Sequence, residues 1–161
     1  MGQADFKADS KTKITAAQIS AQLAKLHQDQ QTPWAYYSEV KSGPSWGQGG
    51  RKLYILDAVA IRKSWSNPLI VGFEIKTSRA DFLKDKKWHN YRAYCHKLSF
   101  VCPTGIITLD DLRGYEDTGL IYYSPEHNTL FTKRRAMRRE IDMRSAEVTS
   151  MLYYLCLYRC G

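Results

Sequence analysis

Three charged side chains interrupt two otherwise apolar runs. Asp57 stands alone in Leu53-Tyr54-Ile55-Leu56-Asp57-Ala58-Val59-Ala60-Ile61, while Glu74 and Lys76 close Leu69-Ile70-Val71-Gly72-Phe73-Glu74-Ile75-Lys76. A charge buried without a partner is costly or is driven to its neutral form, so each of these groups needs compensation. Strand period two puts Glu74 and Lys76 on one face. If the two runs are neighbouring strands, Asp57 and Glu74 converge and can bind a hard divalent cation through oxygen, which offsets their mutual repulsion. Mg²⁺ suits that ligand set, and the backbone carbonyl of Ile75 can add a further ligand. The Lys76 ammonium would orient the attacking water or stabilise charge on a scissile phosphate. Together this is equipment for phosphodiester hydrolysis. Taken singly, the same residues have plainer roles: a Glu74 to Lys76 ion pair at a strand end, and Asp57 capping a turn.

The elements that must position these groups can be read from periodicity and punctuation. Residues 1–13 are polar and aperiodic and read as a flexible tail, with one domain over 14–161. Thr15-Ala16-Ala17-Gln18 has the form of a capping box with Ile14 and Ile19 as its staple, and Ile19, Leu23 and Leu26 make one apolar stripe, so a helix is expected that stops before Pro33. Trp34 to Val40 reads as a strand, and the Gly-, Pro- and Ser-rich residues 42–50 as a loop. Leu53 to Ile61 and Leu69 to Lys76 suit central strands covered on both faces, and the short turn Ser64-Trp65-Ser66-Asn67-Pro68 between them implies a hairpin. Ser78 is a good N-cap for a helix running to about Cys95. Strands are expected at Leu98 to Cys102, Gly119 to Tyr123 and Thr129 to Thr132, followed by a long or broken helix from Lys133 to Tyr158.

The surface around these elements is basic. Lys76, Arg79, Lys84, Lys86, Lys87, Arg92 and Lys97 face only Asp81 and Asp85 over the stretch that follows the acidic pair, which suits a phosphate backbone. Asp81 and Asp85 form an i,i+4 like-charge pair that needs compensation from Lys84, Arg92 or contact with Lys76. Trp88 and Tyr91 can stack on a base, although aromatic residues on a helix beside a sheet more often fill the core. Lys133, Arg134, Arg135, Arg138 and Arg139 form a second cluster, in which helical spacing would align Arg134 with Arg138 and Arg135 with Arg139. Backbone contacts with DNA or RNA would use such a row.

Asp57, a strand, and then Glu74-Ile75-Lys76 resemble the motif of the PD-(D/E)XK nuclease superfamily. The longer run Glu74-Ile75-Lys76-Thr77-Ser78-Arg79-Ala80-Asp81-Phe82-Leu83-Lys84-Asp85-Lys86-Lys87-Trp88-His89-Asn90-Tyr91-Arg92 is similar to the MmcB-like DNA repair branch, with the likeness spanning roughly residues 34–139. The resemblance implies an α/β, restriction-endonuclease-like core: a central mixed β-sheet flanked by helices. It also implies Asp57 and Glu74 as metal ligands, Lys76 as the catalytic lysine, and Glu39 as the additional N-terminal carboxylate of several such nucleases. Leu56 stands where the superfamily's name has proline, and Lys52-Leu53-Tyr54-Ile55 replaces an arginine-rich approach.

Composition agrees with a nucleic-acid partner. The chain has 161 residues, 43% of them hydrophobic and 25% charged, and 24 Lys plus Arg against 16 Asp plus Glu give a net charge of +8. That excludes collagen-like and wholly disordered classes and favours a polyanion. No run approaches a membrane span or a signal-peptide core, pointing to the cytoplasm of a bacterial cell, or to a phage-encoded protein working there. Cys95, Cys102, Cys156 and Cys160 form no CxxC pair and are expected in the core, and His27, His89, His96 and His127 show no metal-binding spacing. Gly47-Gln48-Gly49-Gly50 lacks the Lys-Ser or Lys-Thr of a phosphate-binding loop. Residues 151–158 are apolar and suit a core or subunit contact, so a homo-oligomer is compatible with the sequence. The leading expectation is an Mg²⁺-dependent endo- or exodeoxyribonuclease in DNA repair or in phage or mobile-element DNA metabolism, with Mn²⁺ able to substitute. The competing one is a nucleic-acid-binding module with the same fold and no turnover.

Overall fold

The computed structural model describes residues 13–28, 33–43 and 52–160. Most of the expected tail and of the 42–50 loop lies outside these residues. Helix α1 (Ala16–His27) begins as its sequence requires: Thr15 caps it, accepting from the Gln18 N–H at 3.3 Å while the Gln18 side chain accepts from the Thr15 N–H at 2.8 Å. Ile19 and Leu23 are buried, but Leu26, expected on the same stripe, is exposed near the helix end.

Six strands form one mixed sheet in sequence order: β1 (Trp34–Lys41), β2 (Ile55–Arg62), β3 (Ile70–Ile75), β4 (Lys97–Pro103), β5 (Gly119–Ser124) and β6 (Thr129–Arg134). β2 and β3 are the expected antiparallel hairpin, pairing Ala58 with Phe73 and Ile61 with Ile70. β3, β4 and β5 are parallel and almost wholly buried, which is why their sequences run apolar without alternation. β1 and β6 close the sheet as antiparallel edges.

The two faces are covered unequally. On one, α1 seals Tyr36, Ala58, Ala60, Phe73 and Ile75 with Ile19 and Leu23. On the other, α2 (Arg79–Lys84), the one-turn α3 (Trp88–Tyr91), a 3-10 turn at Asp110–Leu112 and α4 (Ala146–Tyr158) cover Val59, Leu98, Phe100 and Leu120. Among the described residues no helix is long and apolar enough to cross a membrane.

Three expectations need correction here. The helix from Ser78 to Cys95 is broken: the Ser78 cap holds, but the backbone turns extended at Asp85 (φ −74°, ψ 109°), and Lys87 gives α3 no side-chain cap. Lack of Gly and Pro permits a helix without compelling one, and Asp85 has stronger bonds to make elsewhere. The C-terminal helix begins only at Ala146, capped by Ser145. Arg134 belongs to β6, and the chain after it runs without helix, tied by Met137 N–H to Asp117 O and by Arg139 N–H to His96 O. A Cβ on Gly119 would overlap Ser99 Oγ and lie 2.9 Å from Ala136 N, so glycine is what lets this segment lie so close to the sheet. Finally, Cys95 and Cys102 are buried as expected, whereas Cys156 and Cys160 are exposed on and just beyond α4.

Candidate active site

The β2–β3 register fixes the acidic pair. Extending the Ala58–Phe73 pair by one residue sets Asp57 opposite Glu74. Asp57, half-buried, accepts the Ile75 N–H through Oδ2 at 2.7 Å. Burial raises its pKa, against the pull of that bond and of Lys76. Glu74 is buried, with Oε2 at 3.2 Å from Lys76 Nζ and Oε1 without a hydrogen-bond partner among the described residues. Burial first and the Asp57 charge second push Glu74 up to about 8.

Lys76 follows β3, its N–H donating to Val101 O at 3.0 Å. Its ammonium is clamped, donating to Asp85 Oδ2 at 2.6 Å and lying beside Glu74. Burial works against the charge, yet Asp85, Glu74 and Asp57 outweigh it and hold Lys76 at about 12. Asp85 is in turn held below its ordinary range: burial opposes ionisation, but Lys76 and the Lys87 N–H, 2.8 Å from Oδ1, prevail. The expected compensation for Asp85 is therefore Lys76.

These groups open into a cleft of about 310 Å³ rimmed by Lys84, Lys86 and Lys87, with Tyr91 on its wall. Glu39 is not part of it. The exposed Glu39 sits on β1 between the residues paired with Ala58 and Leu56, at φ 51°, and lines a separate pocket of about 580 Å³ beside α1 that Asp57 also reaches. Ile75 spends its N–H on Asp57 and buries its side chain against the α1 face.

The expected nucleic-acid contacts divide into two kinds. Lys84, Lys86 and Lys87 are exposed at the cleft. Arg79 makes a bidentate pair with Asp111 at 2.5 and 2.6 Å and donates to Ile106 O, tying α2 to the 3-10 turn. Trp88 is buried, edge-on to Phe100 at 5.1 Å and to Tyr115 at 4.9 Å, so it is core and offers no base a platform. Arg134 donates to Thr118 O and Tyr115 O, and Arg138 to Asn67 Oδ1, while Arg135 is exposed. Without a helix, the Arg134–Arg138 and Arg135–Arg139 rows do not form. Arg139 instead joins Arg92 on Asp117.

Two oxygen donors facing each other, one carrying an orphaned buried oxygen, fit a Mg²⁺ ion, which is commonly held by only one or two carboxylates. Among the described residues no group of three or more His, Cys, Asp or Glu is placed to hold a metal. The sequence did not disclose the Asp85 clamp as such, nor Tyr91 as a wall of the cleft; the signal for Asp85 was its like-charge spacing from Asp81.

Comparison with curated proteins gives no match. Among solved structures, the chain is similar to the SPO1766 protein of unknown function from Silicibacter pomeroyi, with TM-score 0.62 and 16% identity over 95% of this chain and 89% of that one. At that identity the likeness speaks for the α/β fold alone. A family model described as DNA repair protein MmcB-like matches residues 6–154. With the whole sheet and all of the cleft inside that match, the chain belongs to the MmcB-like DNA repair protein family.

Proposed function

We propose that this chain is a divalent-metal-dependent deoxyribonuclease with a restriction-endonuclease-like core of the PD-(D/E)XK type, hydrolysing phosphodiester bonds in DNA repair. The observation that carries the reading is Glu74 Oε1: a buried carboxylate oxygen with no hydrogen-bond partner among the described residues, opposite a second carboxylate, in a cleft with a cationic rim. An unsatisfied buried oxygen is costly unless something absent from the polypeptide supplies its bond. Asp57 and Glu74 would hold Mg²⁺, which when bound supplies Lewis-acid polarisation of the scissile phosphate. Lys76, whose ammonium is held in the cleft by Asp85 and Glu74, would direct positive charge at the phosphate. Lys84, Lys86 and Lys87 neutralise the flanking phosphates. Incubation of the purified chain with Mg²⁺ or Mn²⁺ and a panel of single-stranded, duplex, flapped and branched DNAs tests this. Cleavage that disappears in both Asp57→Ala and Lys76→Ala supports it, and a parent protein that cuts nothing sinks it.

One observation favours a second reading, a DNA-binding module without turnover. Lys76 Nζ already lies 3.2 Å from Glu74 Oε2, so the acidic pair has a cationic neighbour without an ion. Calorimetry separates the two, since a pure binding module shows no Mg²⁺ heat that depends on Asp57 and Glu74.

A further inference from the structure

The β2–β3 hairpin ends in a side chain that the cleft does not use. Trp65 is fully exposed and, among the described residues, makes no hydrogen bond or ring contact. A free indole is a large apolar surface to leave in water, and Trp is the aromatic residue most often used where one face must be given to a partner. The turn beneath it is braced. Asn67 N–H donates to Ser64 Oγ at 3.2 Å, Ser64 N–H to Arg62 O at 2.9 Å, and Lys63 N–H to Pro33 O. Arg138 reaches in from beyond β6 to donate to Asn67 Oδ1 at 3.0 Å. The indole is thus presented from a held turn.

Charge around the tip selects the partner. Arg62 and Lys63 precede it in the chain, Arg138 bonds the same turn through Asn67, and from Lys63 to Phe73 the chain carries no acidic residue; Glu140 lies 3.8 Å from Arg138. Arg62 lies over the Trp34 ring at 5.4 Å, which fixes its cation beside the hairpin base. An exposed aromatic among fixed cations is the arrangement by which proteins hold a single strand, the base on the ring and the phosphates on the charges. In an intact duplex both faces of each base are already stacked, so an indole at a tip can gain a base only where pairing or stacking is broken.

We propose that Trp65 is a stacking platform for an unpaired base of DNA, with Lys63 and Arg138 contacting the adjoining phosphates. This deepens the nuclease reading and rests on DNA being the substrate. The tip lies at the end of the hairpin opposite Asp57 and Glu74. From Asp57 to Arg62 the strand covers about 17 Å at ~3.3 Å per residue, so the platform stands well apart from the cleft. The trapped base therefore lies outside the cleft, away from the bond to be cut.

The test is binding of a single-stranded oligonucleotide in EDTA, measured against salt, so that catalysis plays no part. Trp65→Ala should weaken affinity about tenfold with the salt slope unchanged, because stacking releases no counterions. Trp65→Phe should recover most of the loss, Trp65→Leu should not, and Lys63→Ala should lower the slope by about 0.7. An exposed position leaves folding intact, which circular dichroism checks. Unchanged affinity in Trp65→Ala overturns the platform while leaving the cleft reading to its cleavage assay. Equal rescue by Leu and Phe also overturns it, as does self-association lost in Trp65→Ala with DNA affinity intact, since the tip is then a protein contact.

Discussion

Asp85 Oδ2 lies 2.6 Å from Lys76 Nζ, which joins the end of β3 to the break in what would otherwise be one helix. The backbone leaves helical geometry at Asp85, and its carboxylate takes both the lysine and the Lys87 N–H. Asp85→Asn keeps the size and removes the charge. It should lower the Lys76 pKa from about 12 and cost about 1.5–3 kcal/mol of stability, the range for a hydrogen bond to a charged group. Urea unfolding and NMR titration of the Lys76 ammonium measure the two effects, and no change in either would show the pair to be incidental.

Glu74 predicts a pH dependence of opposite sign to that of an ordinary carboxylate. Its folded pKa of about 8 lies above its ordinary 4.5, so the folded state binds this proton more tightly than the unfolded one. Its contribution to stability is therefore complete below pH 4.5 and is lost as pH rises through about 8. At roughly 1.4 kcal/mol per pKa unit the loss amounts to several kcal/mol as an order of magnitude. Glu74→Gln removes the titration and should flatten the stability curve over that window. Chemical denaturation of both proteins across the window decides the matter; parallel curves would contradict the assignment.

Metal binding should reverse that loss. Mg²⁺ needs the ionised carboxylates, so its affinity rises with pH as Glu74 loses its proton. Millimolar Mg²⁺ should raise the melting temperature more above pH 8 than in acid, by the equivalent of ~2.7 kcal/mol when the ion stands at ~100 times its Kd. Asp57→Asn and Glu74→Gln should abolish the shift, and chelator should restore the metal-free value in the parent. Equal shifts in all three proteins would mean that the ion binds elsewhere.

The paired strands were legible because burial on both faces leaves a continuous apolar record, against which Asp57 and Glu74 stand out. The hairpin placed them opposite one another through its turn alone. What the sequence hid was set by tertiary bonds. Nothing local distinguishes the break at Asp85 from helix, since the Lys76 ammonium that draws it out of register is nine residues back along the chain. The Arg134 to Arg139 stretch has helical spacing but is held by acceptors on Thr118, Tyr115 and Cys95, none of them local. Trp88 has the neighbours of a surface residue and the burial of a core one, because Phe100 and Tyr115 come from elements further on.

The cations can be sorted by what their loss should do. Lys84, Lys86 and Lys87 rim the cleft, whereas Arg134 spends its guanidinium on the carbonyls of Thr118 and Tyr115. Replacing the three lysines by alanine should leave stability nearly unchanged, as exposed charges contribute little to folding. It should reduce the slope of log affinity against log salt by about 2–3 if each lysine meets one phosphate, since each such contact carries about 0.7 to 0.9. Arg134→Ala should do the reverse, costing about 1 kcal/mol of stability per lost bond with the slope little altered. Salt titrations of DNA binding, run beside urea unfolding on the same proteins, compare the two directly. A triple lysine variant with the parent's slope would move the DNA path away from this cleft, and a large slope change in Arg134→Ala would draw it toward β6.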